Sequence, residues 1–114
     1  MSGISAGSLR HWVALQRDIG GQNSETGEMF ANWQTQAECF AEIVMQSARE
    51  FVAASAEQSE ARGRMTIRFR DDVNPTWRVV YRGKYYAILG IMEDAESMLE
   101  HLTLVVGEGV RLEQ

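Results

Sequence analysis

Residues 77–92 read WRVVYRGKYYAILGIM. Two runs of β-branched and aromatic residues meet at Arg82-Gly83-Lys84, and the single proline of the chain, Pro75, stands just before them. Such residues suit a pleated strand, and glycine at the junction lets the backbone reverse, so the stretch predicts a β-hairpin from Trp77 to Arg82 and from Tyr85 to Met92. With Gly83 and Lys84 as the two loop residues, a type II′ turn is expected. Immediately upstream, Arg62-Gly63-Arg64-Met65-Thr66-Ile67-Arg68-Phe69-Arg70 places arginines at even positions and mostly apolar residues at odd ones. That is the period of a strand with one buried and one polar face. Between the two, Asp71-Asp72-Val73-Asn74-Pro75 reads as a turn, because Asp and Asn bond their own backbone and proline fixes φ.

Working outward, the segment from Leu9 to Ile19 sets Leu9, His11, Val13 and Leu15 against Arg10, Trp12, Ala14 and Gln16, a first strand. The segment from Trp33 to Val44 sets Thr35, Ala37, Cys39, Ala41 and Ile43 against Glu38, Phe40, Glu42 and Val44, a second strand antiparallel to the first. The polar residues between them, Gly20, Gly21, Gln22, Asn23, Ser24, Glu25, Thr26, Gly27 and Glu28, form a connection too long for a tight hairpin and are expected to be a flexible loop. Ser47-Ala48-Arg49-Glu50 is a capping box, in which the Ser47 hydroxyl accepts from the Glu50 amide and the Glu50 carboxylate reaches back to Ser47. A short helix is expected from there, anchored on the rest of the fold by Phe51. Leu102, Leu104 and Val106, alternating with Thr103 and Val105, close the chain with a last strand. The sum is a mainly β fold, a small antiparallel barrel or sandwich of about six strands with one short helix inserted.

At 114 residues the chain is expected to be a single domain, residues 1–114, with an ordered core over about residues 9–106 and loose ends rich in Gly, Ser and Glu. The longest apolar runs fall far short of the ~20 residues of a membrane-spanning helix, and the first residues lack a secretory pattern, which points to a soluble chain made in a cytoplasm. The net charge of −5 disfavours non-specific nucleic-acid binding as the main activity. Its distribution is more informative. Residues 1–61 carry three basic and eight acidic side chains, residues 62–84 seven and two, and residues 85–114 one and six. The balance therefore runs −5, +5, −5, and a chain so divided is complementary either to a second copy of itself or to its own acidic neighbours.

No residue pattern points to catalysis or to a bound cofactor. Cys39 is alone and sits on the apolar parity of its strand, the setting of a buried, inert thiol. His11 and His101 have no second ligand at metal spacing, and read as solvated or edge residues. Phosphate-cradling loops, nucleophile elbows and Cys–His pairs are missing, so neither an enzyme nor a metal centre is expected. Arg62, Arg64, Arg68 and Arg70 share a face, and with Trp77, Tyr81, Tyr85 and Tyr86 nearby they leave two readings. One is a single-stranded nucleic-acid surface of phosphate contacts and base stacking. The other is a core of aromatics with arginines solvated or paired to Glu38 or Glu42.

Taken in order, the landmarks are Leu15-Gln16-Arg17, Gly27 and Trp33, Ala41-Glu42-Ile43, Arg49-Glu50-Phe51, Ile67-Arg68-Phe69-Arg70, Pro75, Arg78-Val79-Val80-Tyr81, Gly83-Lys84 and Tyr86-Ala87-Ile88. This succession resembles the head–tail joining family of tailed bacteriophages, the head-closure or stopper proteins, from about Leu9 to Val106. Trp77 and the acidic residues from Glu93 to Glu100 depart from the resemblance. The resemblance implies a non-enzymatic protein of the virion neck that forms a ring with copies of itself. Portal or adaptor proteins would lie above it and tail proteins below, with packaged DNA passing through without sequence-specific binding. It would complete the head after packaging, retain DNA and offer the tail a surface. A tail-completion or terminator protein is the neighbouring alternative, and a small nucleic-acid-binding barrel the distant one. Within that frame the arginines become candidate contacts between subunits, and the loop from Gly20 a candidate channel or docking element.

Overall fold

In the computed structural model, which describes residues 9–47, 60–93 and 100–112, the strands are β1 (His11–Asp18), β2 (Trp33–Met45), β3 (Gly63–Arg68), β4 (Arg78–Tyr81), β5 (Lys84–Glu93), β6 (His101–Val106) and β7 (Val110–Arg111). The sheet runs β4-β1-β2-β3-β6-β5, every neighbour antiparallel, and β4 pairs with β5 to close it into a six-stranded barrel. Closure follows from local irregularities as well as from pairing. Between Leu15 and Gln16 the β1–β2 register slips by one, leaving Gln36 without a partner, and Leu89 is passed over in the same way between β5 and β6. Such bulges bend and twist a strand, which helps a short sheet curl onto itself.

The inward faces are those given by the alternation. Val13, Leu15, Ala41, Met65, Ile67, Val79, Ile88, Leu102, Leu104 and Val106 are all buried, with Trp77 beside them. Burying a side chain of this size stabilises the fold by about 1.5–3 kcal/mol relative to leaving it exposed, so these few residues supply most of the driving force. Thr66 is buried on the opposite parity, where its hydroxyl lies 3.2 Å from that of Thr103, its cross-strand partner.

Four expectations change. The turn between β4 and β5 is centred on Arg82 and Gly83, with Tyr81 paired to Lys84, and both central residues have positive φ (51° and 77°). That is the type I′ geometry, whose twist matches the flanking strands; it costs Arg82 some backbone strain where Gly83 has none. Trp77 ends the preceding turn rather than opening the strand, its amide donating to the Asn74 carbonyl at 2.9 Å. The chain does not come loose after Val106. Gly107 donates to Ala87, β7 pairs with Lys84 and Tyr85, and Leu112 donates to Gly83, so the tail continues along the edge of β5 that β6 occupies. Finally, His101 is buried (8% exposed) and His11 is partnered, its Nδ1 lying 2.8 Å from the Tyr81 hydroxyl. The expected helix falls on Arg49, Glu50 and Phe51, outside the described residues; Ser47 before it is not helical.

Because adjacent strands alternate in direction, the β1–β2 connection and the β3–β4 turn lie at one end of the barrel. The β4–β5 turn and the β2–β3 connection lie at the other.

Candidate functional site

The long connection between β1 and β2 is paired within itself. Asp18 begins this: its Oδ1 accepts from the amides of Gly20 (2.8 Å) and Asn32 (2.9 Å), while Ile19 donates to the Asn32 carbonyl. These two amides hold the Asp18 carboxyl below its ordinary value of 3.8. Further out, Phe30 donates to Gly21, Gln22 bridges to Met29, and Asn23 donates to Glu28. At the tip the Gly27 amide reaches the Asn23 carbonyl, and the Asn23 side chain accepts from Glu25 and Thr26. The backbone groups that a free loop would leave to water are thus largely satisfied locally, because Asn, Asp and Thr can bond the chain a few residues on. The result is a β-arm continuing the β1–β2 hairpin. It carries Met29 (72% exposed) and Phe30 (53% exposed) away from any core.

A second surface lies on the outside of the barrel wall. Trp12 of β1 and Phe40 of β2 are directly paired, half exposed, and meet edge to face with centroids 4.7 Å apart. With Leu9, Cys39 and Arg68 they line a hollow of about 290 Å³. Burial pushes the Cys39 thiol above its usual value, which keeps it protonated and unreactive. Arg68 is the one charged residue of that lining, and it makes no ion pair among the described residues. The indole nitrogen of Trp12 donates to Glu38 at 3.2 Å, so that acid is engaged within the wall.

The four arginines of the basic strand do not act as one stripe. Arg70 grips Asp72 in a two-pronged ion pair, Nε to Oδ1 at 3.0 Å and Nη2 to Oδ2 at 2.9 Å, which lowers the Asp72 pKa and pins the β3–β4 turn. Arg62 is half-buried beside the β2–β3 connection, donating to the Ala61 carbonyl. Arg64 and Arg68 remain exposed on β3, with neither Glu38 nor Glu42 paired to them. The aromatics divide similarly. Trp77 is buried, Tyr81 and Tyr86 pack against the core, and the Tyr85 ring is covered by Arg78. That guanidinium lies 4.3 Å from the Trp33 ring centre and 4.6 Å from that of Tyr85 while donating to Gln16 at 2.8 Å. The four arginines and four aromatics thus do not lie together on one surface, since Trp77 is buried and Arg70 is held by Asp72.

Among the described residues no group of three or more His, Cys, Asp and Glu could hold a metal ion. The chemistry available on this surface is that of association: exposed aromatic and thioether groups, the guanidiniums of Arg64 and Arg68, and the carboxylates of Glu25 and Glu28 on the arm. Reading by sequence singled out the arm and the arginines but not Trp12, Phe40, Met29 or Phe30. The available signal was a large apolar residue on a polar parity, or in a polar connection.

A family model described as phage head completion protein matches residues 4–109. Among solved structures, protein SF1141 from Shigella flexneri 2a, determined in solution, superimposes with a TM-score of 0.69 at 26% identity, covering 92% of this chain and 96% of that one. A chain from the virion of a native gene transfer agent particle superimposes with a TM-score of 0.61 at 14% identity, covering 91% and 97%. The second likeness shows the fold alone. No curated protein matches by sequence.

Proposed function

The chain belongs to the phage head completion family, a family of structural and non-enzymatic proteins, and from that premise we propose that it closes the neck of a phage-type particle. It sits as a ring below the portal and its adaptor, retains the packaged DNA, and gives the tail its attachment surface. The observation that carries this reading is the hydrogen-bonded β-arm on a closed barrel. A projecting element whose backbone is already bonded can reach a neighbouring subunit, the channel or the tail at little ordering cost, and its exposed Met29 and Phe30 gain by burial that one barrel does not provide. The arm carries Glu25 and Glu28 and no basic residue, which suits a conduit that DNA passes without adhering.

The test is completion of heads. Purified chain added to DNA-filled tailless heads should make the DNA resistant to leakage and nuclease, and should allow tails to attach. Heads that leak as before and fail to join tails would refute the assignment. Reversing Arg64 and Arg68 to Glu should weaken incorporation into heads while leaving the monomer folded, because neither side chain has an ionic partner among the described residues.

A further inference from the structure

We infer that the arm of one copy docks in the Trp12–Phe40 hollow of the next, with Phe30 entering the hollow and Glu28 facing Arg68. This deepens the neck reading and rests on it for the setting in which copies meet. Glu28 and Phe30 flank the Gln22–Met29 bridge, in a stretch held extended by the bonds of Asn23 to Glu28 and Phe30 to Gly21. Residues two apart on an extended chain project to the same side, so the arm offers an aromatic ring and a carboxylate together. The hollow offers the counterpart: apolar walls from Leu9, Trp12 and Phe40, and the single cation Arg68. Neither Glu28 nor Arg68 has an ionic partner among the described residues, and Phe30, Trp12 and Phe40 are each about half exposed.

The two surfaces cannot meet within one copy. Phe30 and Phe40 lie on the same extended limb ten positions apart, a separation of about 30 Å at ~3.3 Å per residue, and the bonded arm does not fold back. Arm and hollow are different surfaces, so within a ring of copies the contact runs head to tail. Such a contact repeats from copy to copy and closes into a ring when the rotation permits.

Two single-cysteine chains, each with Cys39→Ala, test the contact: Met29→Cys marks the arm, and Arg10→Cys, at the exposed residue between the lining residues Leu9 and Trp12, marks the hollow. They are mixed, bound to DNA-filled tailless heads, washed, and treated with a short bis-maleimide. Cross-linked dimers should require both chains. Arg68→Glu in the Arg10→Cys chain should cut the yield by about tenfold, and Glu28→Arg in the Met29→Cys chain should restore it. Circular dichroism of each variant checks that the fold is kept. Dimers formed by either chain alone in equal yield, or a yield indifferent to Arg68→Glu, would overturn the contact. If the chain does not bind heads, the neck assignment fails, and the same cross-linking of the purified mixture at millimolar concentration decides the contact alone. Dimers between the two marks sustain it, and their absence overturns it.

Discussion

The seam between β3 and β6 and the far end of the β1–β2 arm both pair antiparallel, the one as a ladder and the other through a single bridge, and they use apolar side chains in opposite ways. In the seam, Met65 lies opposite Leu104 and Ile67 opposite Leu102, all buried, and the outward Thr66 and Thr103 hydroxyls satisfy one another. In the arm, backbone bonds also tie the two limbs together, but Met29 and Phe30 face solvent. Hydrogen bonding shapes both regions, whereas burial distinguishes them: the seam holds the monomer together, and the arm has apolar surface left for another chain.

That contrast can be broken from either side. Leu104→Ala removes a fully buried side chain from the seam and should cost about 2–5 kcal/mol, read as a lower midpoint in urea. Gly20→Ala acts on the arm instead. A Cβ there would run into the Phe30 carbonyl and crowd Asn32, so the base of the arm must open, at about 1–3 kcal/mol. Hydrogen exchange should accelerate in residues 19–32 and stay slow in β3 and β6. Arg82→Asn eases the positive φ of the β4–β5 turn but gives up the Arg82 guanidinium over Tyr81, for a net gain of about 0.5 kcal/mol in thermal unfolding. The smallest effect is confined to acid. Since the folded state holds Asp18 below 3.8, its bonds to Gly20 and Asn32 contribute fully above that value and are lost as pH falls through the lower folded value. Amide exchange at Gly20 and Asn32, corrected for its intrinsic pH dependence, should therefore rise selectively below pH 3.8, and Asp18→Ala should remove that dependence.

The seam was legible in the sequence because a period of two reports burial on one face, and Leu102, Leu104, Met65 and Ile67 keep that period without interruption. The arm was legible only as a long polar connection. Its pairing depends on Asp18, Asn23 and Thr26 bonding nearby amides, which composition suggests but register alone fixes. The β4–β5 turn was displaced by one residue because Arg82 accepts a left-handed conformation that its side chain disfavours, a choice imposed by the pairing of Tyr81 with Lys84. The pairing of β7 was missed for a related reason. Val110–Arg111 is too short to show a period and is held by the free edge of β5. Among the arginines, even spacing correctly gave a shared face at Arg64 and Arg68, but spacing could not reveal that Asp72 engages Arg70 two residues on.

The division between a barrel that stabilises and an arm that assembles is tested most directly by deleting residues 22–27 and measuring head completion and thermal unfolding on the same protein. The shortened chain should unfold within a few degrees of the full chain and yet leave DNA-filled heads leaky and tailless. A shortened chain that completes heads and joins tails as the full chain does would contradict the account.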